Sequence, residues 1–331
     1  MTRIQIVRVS ICVCLLALPA TVRAQAPGQL LVLLRDSSQL AIVDPASGET
    51  LGKVPTGRDP HEVTASDDGR LAFVASMVDG ISVIDIAARE EIRRVDPGAG
   101  SQTHDLLYFG GKVYFTIEGY KSIGRYDPDA DAIEWTLGIG EDGTHLLVLD
   151  RSTGTMFMPN TRSNTVTIVE NVVAGPSRAT VTDVPVPGET PEGIDLSPDG
   201  REIWTATRAD GGVSVIDVRT QQVVADLDLG MRDANRLKFT PDGRVLIIDG
   251  EAAELVVMDS GSREVIQRVS LGDTDTGDGA VLVGPEGRLA YLGLRAADMV
   301  AVLNLDTLEV TMEIPMGQGG GPGCMYWIRP S

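Results

Sequence analysis

The chain has 331 residues, and its 47 acidic residues outnumber its 28 basic residues, so that the formal net charge is -19. Nucleic acids and anionic membrane surfaces repel a protein of this charge, and we therefore predict that it binds neither. Only three cysteines are present, which argues against a fold held together by disulfide bonds.

The first element, residues 1–24, has the composition of a secretory signal peptide. Arg3 and Arg8 precede an apolar run at residues 11–18, and small residues lie just before and at Ala24. The run is too short to cross a bilayer, and no later segment has the roughly 20 apolar residues that a transmembrane helix needs. We predict cleavage after Ala24, a single mature domain at residues 25–331, and a periplasmic or secreted location.

A short glycine-containing turn recurs along the mature chain. It reads Ser-Asp-Asp-Gly-Arg at residues 66–70, Ser-Pro-Asp-Gly-Arg at 197–201, Thr-Pro-Asp-Gly-Arg at 240–244 and Gly-Pro-Glu-Gly-Arg at 284–288. The runs on either side of each turn are alternating or β-branched, a pattern that is typical of a β-hairpin. Helical periodicity is absent, so the sequence predicts an all-β fold.

The residue near the start of the strand before each turn defines a repeat. We call these residues the landmark positions: His61, His104, His145, Glu192, Asn235, Gly279 and Gly323. They follow one another at intervals of 41 to 47 residues. A period in the low forties with about four strands per unit indicates the blades of a β-propeller, here with seven four-stranded blades.

A second series supports the same number of blades. An acid or amide ends the third strand of each unit, at Asp44, Asp85, Asp127, Glu170, Asp217, Asp259 and Asn304. Because a residue of this kind recurs in every blade, we predict an architectural role, a hydrogen bond to the following turn.

The two series are offset at the chain ends. Asp44 belongs to three N-terminal strands, near residues 29–34, 39–43 and 49–54, that have no innermost strand. Gly323 begins a lone C-terminal strand that continues through residues 324–328. We predict that the C-terminal strand completes the blade begun by the N-terminal strands, because this pairing closes the ring and removes exposed sheet edges.

Two segments resemble the YVTN-family β-propeller repeat. They are Phe-Val-Ala-Ser at 73–76 followed by Ile-Ser-Val-Ile-Asp at 81–85, and Trp-Thr-Ala-Thr at 204–207 followed by Gly-Val-Ser-Val-Ile-Asp at 212–217. The resemblance covers essentially the whole mature chain and implies an exported bacterial member of the family. It implies no single function, since propellers related to this family include lactonases, copper oxidoreductase domains, amine dehydrogenase subunits and binding modules.

The three histidines of the chain, His61, His104 and His145, occupy the same landmark position in consecutive blades. The start of an innermost strand lies at one mouth of the central channel, where adjacent blades bring these side chains together. Three imidazoles around a cavity suit a zinc or copper ion with one open coordination position. Glu192, the next landmark residue, is a candidate fourth ligand or a general base for a bound water.

Three arginines are candidate substrate-binding residues at the same mouth. Arg35, Arg208 and Arg295 each stand nine residues before the acid or amide of their blade, a place that Glu118 takes in another blade. Guanidinium groups bind carboxylates and phosphates through paired hydrogen bonds, so these residues suit a small anionic ligand. Salt bridges at the surface are the alternative role.

The leading interpretation is therefore a propeller with a histidine-lined metal site used for metal binding or metal-assisted chemistry. One alternative is a non-catalytic scaffold that holds a protein, peptide or glycan, with the histidines forming only a polar ring. A third is a lactonase-like hydrolase in which a histidine and Glu192 activate water while Arg208 or Arg295 holds a carboxylate. Cys324, the lone cysteine after residue 24, is expected to be a small buried residue.

Overall fold

The structure, a computed structural model, describes residues 28–272 and 276–329. The signal peptide predicted for residues 1–24 lies outside the described residues. Within them, the chain forms seven sheets, each of four antiparallel strands. The prediction of a seven-bladed β-propeller with four-stranded blades is therefore confirmed.

Each blade contains an innermost, a second, a third and an outermost strand. The innermost strands of blades 1 to 7 are β28 (Pro322–Ile328), β4 (Pro60–Ala65), β8 (Thr103–Phe109), β12 (Val148–Asp150), β16 (Pro191–Leu196), β20 (Ala234–Phe239) and β24 (Ala280–Val283). The second strands are β1 (Gln29–Leu34), β5 (Leu71–Ser76), β9 (Lys112–Ile117), β13 (Thr155–Asn160), β17 (Glu202–Thr207), β21 (Arg244–Asp249) and β25 (Leu289–Leu294).

The third strands are β2 (Gln39–Val43), β6 (Gly80–Asp85), β10 (Ser122–Asp127), β14 (Thr165–Glu170), β18 (Gly212–Asp217), β22 (Glu254–Asp259) and β26 (Met299–Asn304). The outermost strands are β3 (Thr50–Pro55), β7 (Glu90–Val95), β11 (Ala132–Gly138), β15 (Thr180–Pro185), β19 (Gln222–Asp228), β23 (Glu264–Ser270) and β27 (Glu309–Pro315). The helices of the described part are single 3-10 turns at Glu118–Tyr120, Val172–Ala174, Pro176–Arg178 and Arg295–Ala297. None of these helices is long and apolar enough to cross a bilayer.

Position within the blade sets the hydrophobic pattern of each strand. Every residue of β5 is buried, because neighbouring blades cover both faces of the second strand. The outermost strand β19 instead alternates between exposed and half-buried residues, because one of its faces meets water. The recurring turns follow the prediction as well: Gly69 and Gly200 have φ angles of 67° and 72°, a left-handed conformation that favours glycine.

The core consists of hydrophobic clusters that lie between consecutive blades. Between blades 2 and 3, for example, Phe73 and Ile81 of one blade pack with Phe115 of the next. Clusters of this kind fill all seven interfaces of the described ring. Because successive side chains of a strand point to opposite faces, each blade contributes to two clusters, and the ring is one continuous series of interfaces.

The ring closes as the sequence predicts. Strand β28 pairs antiparallel with β1, with Gln29 opposite Ile328 and Leu30 opposite Trp327. Met325 belongs to the cluster between blades 7 and 1, and Ile328 belongs to the cluster between blades 1 and 2. The C-terminal strand therefore completes two interfaces as well as one sheet.

The architectural role of the acid or amide after the third strand is also confirmed. Asp85 accepts a hydrogen bond from the backbone N–H of Ala88 at 2.9 Å, and Asn304 accepts one from Asp306 at 2.8 Å. Blade 4 differs, because the carboxylate of Glu170 accepts a hydrogen bond from the side chain of Gln221 at 3.3 Å. The larger side chain reaches a neighbouring blade instead of its own turn.

Candidate metal centre

The landmark residues lie where the innermost strands leave regular pairing. In blade 2, Pro60 pairs with Ser76 and Glu62 pairs with Ala75, so that His61 is an extra residue in a β-bulge. Glu192 and Asn235 are extra residues of the same kind in blades 5 and 6. A bulge turns its side chain out of the regular alternation, and at this level the side chains of different blades meet.

The backbone approaches most landmark positions through a left-handed residue. In six described blades, the residue two positions before the landmark has a positive φ angle, at Asp59, Gln102, Gly143, Thr190, Gly277 and Gly321. Three of these are glycines, which adopt this conformation without strain. The shared geometry explains why one repeat position supplies a ring of side chains at the channel mouth.

The three histidines meet there, as the sequence predicts. Nδ1 of His61 lies 2.8 Å from Nε2 of His104. The ring centroids of His104 and His145 are 3.7 Å apart, with an angle of 37° between the ring planes. His104 and His145 are buried, with 2 % and 9 % of their surface exposed, so both imidazoles are largely removed from water.

Two ring nitrogens of this cluster have no protein partner. Nδ1 of His104 and Nδ1 of His145 are both buried, and no described residue forms a hydrogen bond with either atom. Leaving a buried polar atom unpaired costs about 1–3 kcal/mol. The two unpaired atoms therefore belong to neighbouring imidazoles, whose ring centroids are 3.7 Å apart.

Glu118 joins the two histidines. One ligand atom from each of His104, His145 and Glu118 lies within 4.8 Å of the other two. Glu118 begins the 3-10 turn after β9, is 6 % exposed, and lies 3.3 Å from a guanidinium nitrogen of Arg162. Burial raises the pKa of its carboxyl group. The sequence did not identify Glu118 as a member of this cluster, although an acid where other blades carry arginine was an available signal.

The other two predicted ligands have protein partners. Glu192 forms ion pairs of 3.2 Å with Arg208 and 2.6 Å with Arg236. Burial alone would raise the pKa of Glu192, but nearby charges, Arg236 and Arg208 among them, lower it. Nε2 of His61 lies between Arg35 and Asp59, at 2.9 Å and 3.1 Å. Direct metal binding by His61, and a ligand or general-base role for Glu192, stay predictions.

The three predicted substrate-binding arginines converge on one carboxylate. Guanidinium nitrogens of Arg35, Arg208 and Arg295 lie 3.0, 2.8 and 3.2 Å from oxygens of Asp278. Burial alone would raise the pKa of Asp278, but the guanidinium charges hold it well below its usual range. Binding of an external anion by these arginines stays a prediction, and Asp278 shows that their geometry suits a carboxylate.

Sequence reasoning missed Asp278 and Arg236, although both flank landmark positions. Asp278 directly precedes Gly279, and Arg236 directly follows Asn235. Asp278 pairs with Arg208 and Arg236 pairs with Glu192, so charged residues next to landmark positions were the signal available in the sequence.

The imidazoles are held in their neutral form by the fold. Burial is the main cause, and it lowers the pKa of His61 to about 4, with a further contribution from the charge of Arg35. Burial likewise lowers the pKa of His145 to about 3 and that of His104 well below 6.5. The unfolded chain takes up protons below about pH 6.5 that the folded chain does not accept. The stability that these groups contribute is therefore complete above pH 6.5 and is lost as the pH falls toward 4 and 3.

We expect the metal-free protein to lose thermal stability between pH 7 and pH 4. Each pKa unit corresponds to about 1.4 kcal/mol of differential stability. The measurement is the melting temperature of chelator-treated protein at several pH values. A variant with His61→Gln, His104→Gln and His145→Gln should show a flatter pH dependence over this range. Parallel pH profiles for the two proteins would contradict the prediction.

Comparisons with known proteins identify the fold. The chain matches no model of a protein family, and it matches no curated protein sequence. Among solved structures, a functionally unknown protein from Desulfotomaculum acetoxidans DSM 771 is similar, with a TM-score of 0.71 and 11 % identity over 92 % of this chain and 99 % of that chain. Hydrazine synthase from Kuenenia stuttgartiensis has a TM-score of 0.68 and 16 % identity, covering 80 % of this chain and 88 % of its own.

A third similar structure is the dihydro-heme d1 dehydrogenase NirN in complex with DHE. Its TM-score is 0.65 and its identity is 14 %, over 91 % of this chain and 75 % of that chain. At such low identities the likeness shows the β-propeller fold alone. The neighbours with named activities differ from one another, so the function has to be inferred from the site.

Proposed function

We propose that this chain is an exported β-propeller of the YVTN type that binds one zinc or copper(II) ion at its channel mouth. The proposed protein ligands are His104, His145 and Glu118. The observation that carries the proposal is the pair of buried Nδ1 atoms on His104 and His145, neither of which has a hydrogen-bond partner among the described residues.

The donor set suits these metals. Two imidazoles and one carboxylate occur together in catalytic zinc sites, and imidazole is also a preferred ligand of copper. Ligand atoms on one zinc ion lie about 3–3.5 Å apart. The ligand atoms of this group lie within 4.8 Å of one another, so the widest separation has to shorten by up to about 1.3–1.8 Å on binding. Rotation of the side chains about their χ angles supplies a change of this size.

Three protein ligands leave a coordination position for a water molecule or a small ligand. Arg35 lies 2.9 Å from His61, which in turn contacts His104. Arg35 is therefore close to the proposed metal, and it shares the carboxylate of Asp278 with Arg208 and Arg295. A cation beside guanidinium groups favours an anionic ligand, and we propose a small carboxylate or phosphate as the molecule that reaches the open position.

Metal analysis of protein purified without a histidine tag tests the proposal. We expect about one equivalent of zinc or copper in the wild-type protein, measured by elemental analysis for zinc, copper and iron. His104→Ala and Glu118→Gln should each weaken metal binding by more than the 10- to 100-fold that loss of a residue behind a ligand costs. Asn235→Ala, at a landmark position outside the proposed ligand set, should retain the metal.

Circular dichroism of each variant shows whether the fold is kept. Equal, substoichiometric metal in wild type, His104→Ala and Asn235→Ala would exclude the metal site. In that case the scaffold interpretation, with a propeller face that holds a protein, peptide or glycan, replaces it.

A further inference from the structure

His61 differs from the other two histidines in having a partner at each ring nitrogen. Its Nδ1 lies 2.8 Å from Nε2 of His104. Its Nε2 lies 3.1 Å from Oδ1 of Asp59 and 2.9 Å from a guanidinium nitrogen of Arg35. A neutral imidazole carries one proton, so one of its nitrogens donates and the other accepts.

Two proton arrangements are possible for this chain of contacts, and each satisfies one of the two contacts at Nε2 of His61. In the first, Nε2–H of His104 donates to Nδ1 of His61, and Nε2–H of His61 donates to Asp59. In the second, Nδ1–H of His61 donates to Nε2 of His104, and Arg35 donates to Nε2 of His61. The arrangements differ in the tautomer of His104: its Nδ1 carries a lone pair in the first and a proton in the second.

Only the first arrangement leaves His104 able to bind a metal through Nδ1. A metal ion needs the lone pair, and the nitrogen that binds it is fixed by the hydrogen bond that the other nitrogen makes. The second arrangement also buries an N–H group with no acceptor among the described residues, which proteins avoid. In the first arrangement Nη1 of Arg35 keeps its hydrogen bond to Asp278 at 3.0 Å. Nη2 of Arg35, which lies 3.9 Å from Oδ1 of Asp59, no longer donates to His61.

We propose that Asp59 and His61 are positioning residues, which fix His104 as the tautomer with a free Nδ1 lone pair. His61 acts as the hydrogen-bond acceptor behind His104, and Asp59 acts as the acceptor behind His61. Arg35 favours the opposite tautomer, so the contacts of Asp59 and Arg35 with one nitrogen set the metal affinity of the site. This inference rests on the proposed function, since it assigns roles around the same metal.

The backbone conformation of Asp59 makes glycine a suitable replacement for testing the role of its carboxylate. Its φ angle is 52°, a left-handed conformation that glycine adopts without strain. Asp59→Gly therefore removes the carboxylate without forcing the backbone to move. Thr190 has the same place before the landmark of blade 5 and a φ angle of 58°, so Thr190→Gly is the matched control for added backbone freedom.

Nitrogen-15 NMR of histidine-labelled protein reads the tautomers directly, because the chain contains three histidines and single His→Gln variants assign each ring. In metal-free wild type and in Thr190→Gly, we expect His104 to be protonated at Nε2. In Asp59→Gly, we expect the proton to move to Nδ1. An unchanged His104 tautomer in Asp59→Gly would overturn the inference.

Zinc and copper(II) titrations provide the second measurement. We expect Asp59→Gly to weaken binding of the competent ion by about 10- to 100-fold, the usual effect of removing a partner behind a ligand, and Thr190→Gly to match wild type. His61→Gln, which keeps an acceptor oxygen, should bind the ion more tightly than His61→Leu. Equal affinities in all five proteins would overturn the inference.

The two measurements separate the inference from the proposed function. If no metal binds to the wild-type protein and the tautomer still shifts in Asp59→Gly, the metal site is wrong and the hydrogen-bond chain stands. If the metal binds and the tautomer does not shift, the metal site stands and the roles of Asp59 and His61 are wrong.

Discussion

Removal of residues 322–331 is expected to leave a chain that no longer folds cooperatively. The deletion removes β28, the innermost strand of blade 1, and exposes the edge of β1 that pairs with it. It also removes Met325 and Ile328 from the clusters on either side of that blade. We expect an aggregation-prone product without a sharp urea transition, measured by circular dichroism and size-exclusion chromatography.

A circular permutant is the control for this deletion. The end of β28 lies beside the start of β1, since Ile328 is opposite Gln29. A short turn that joins residue 329 to residue 28, with new termini in the loop between residues 316 and 321, keeps every blade and turns ring closure into a hairpin. We expect the permutant to unfold cooperatively. A truncated chain as stable as the permutant would show that closure by the terminal strand is not needed.

Blade number and closure could be predicted because they depend on local signals that recur. Each Pro-Asp-Gly type of turn marks a hairpin, and the acid after each third strand hydrogen-bonds its own turn, as Asp85 does. The missing innermost strand at one end and the lone strand at the other then leave one way to pair them. Each turn signal depends on residues a few positions apart in the chain. Closure, which joins Gln29 to Ile328, then follows from the number of strands at the two ends.

The site could be predicted only in part, because its contacts join residues that are far apart in the sequence. A shared repeat position brought the three histidines together. The position alone did not specify that His61 faces Nε2 of His104, which leaves Nδ1 of His104 free. Which ring nitrogen of His104 faces His61 depends on the backbone bulge and on the rotation of the side chains. The place of Asp278 beside a landmark position indicates that it lies near the channel mouth, but no local pattern pairs it with Arg35, 243 residues earlier in the chain.

Ion pairs connect the channel mouth to the interior of the ring. Arg236 forms a 2.6 Å ion pair with Glu192 at the mouth and a 3.5 Å ion pair with Glu62, and 13 % of its side chain is exposed. Glu62 and Arg236 line a cavity of about 270 Å³ within the ring, together with Asp105 and Lys238. Burial, together with the charge of Glu62, raises the pKa of Asp105 well above its usual value. Arg236 is thus a cation between two buried carboxylates.

Replacement of Arg236 is therefore expected to destabilise the protein strongly. Arg236→Met leaves Glu62 and Glu192 buried without this partner, and breaking a buried ion pair from one side costs about 3–5 kcal/mol. The midpoint of urea unfolding should fall accordingly. A variant that also carries Glu62→Gln and Glu192→Gln should recover much of the lost stability, because its buried groups are neutral.

Arg58→Met is the matched control. It breaks an ion pair with Asp79 from a side chain that is 73 % exposed, and it should leave the midpoint of urea unfolding nearly unchanged. Equal midpoints for Arg236→Met and Arg58→Met would contradict the prediction that Arg236 stabilises the fold by pairing with Glu62 and Glu192.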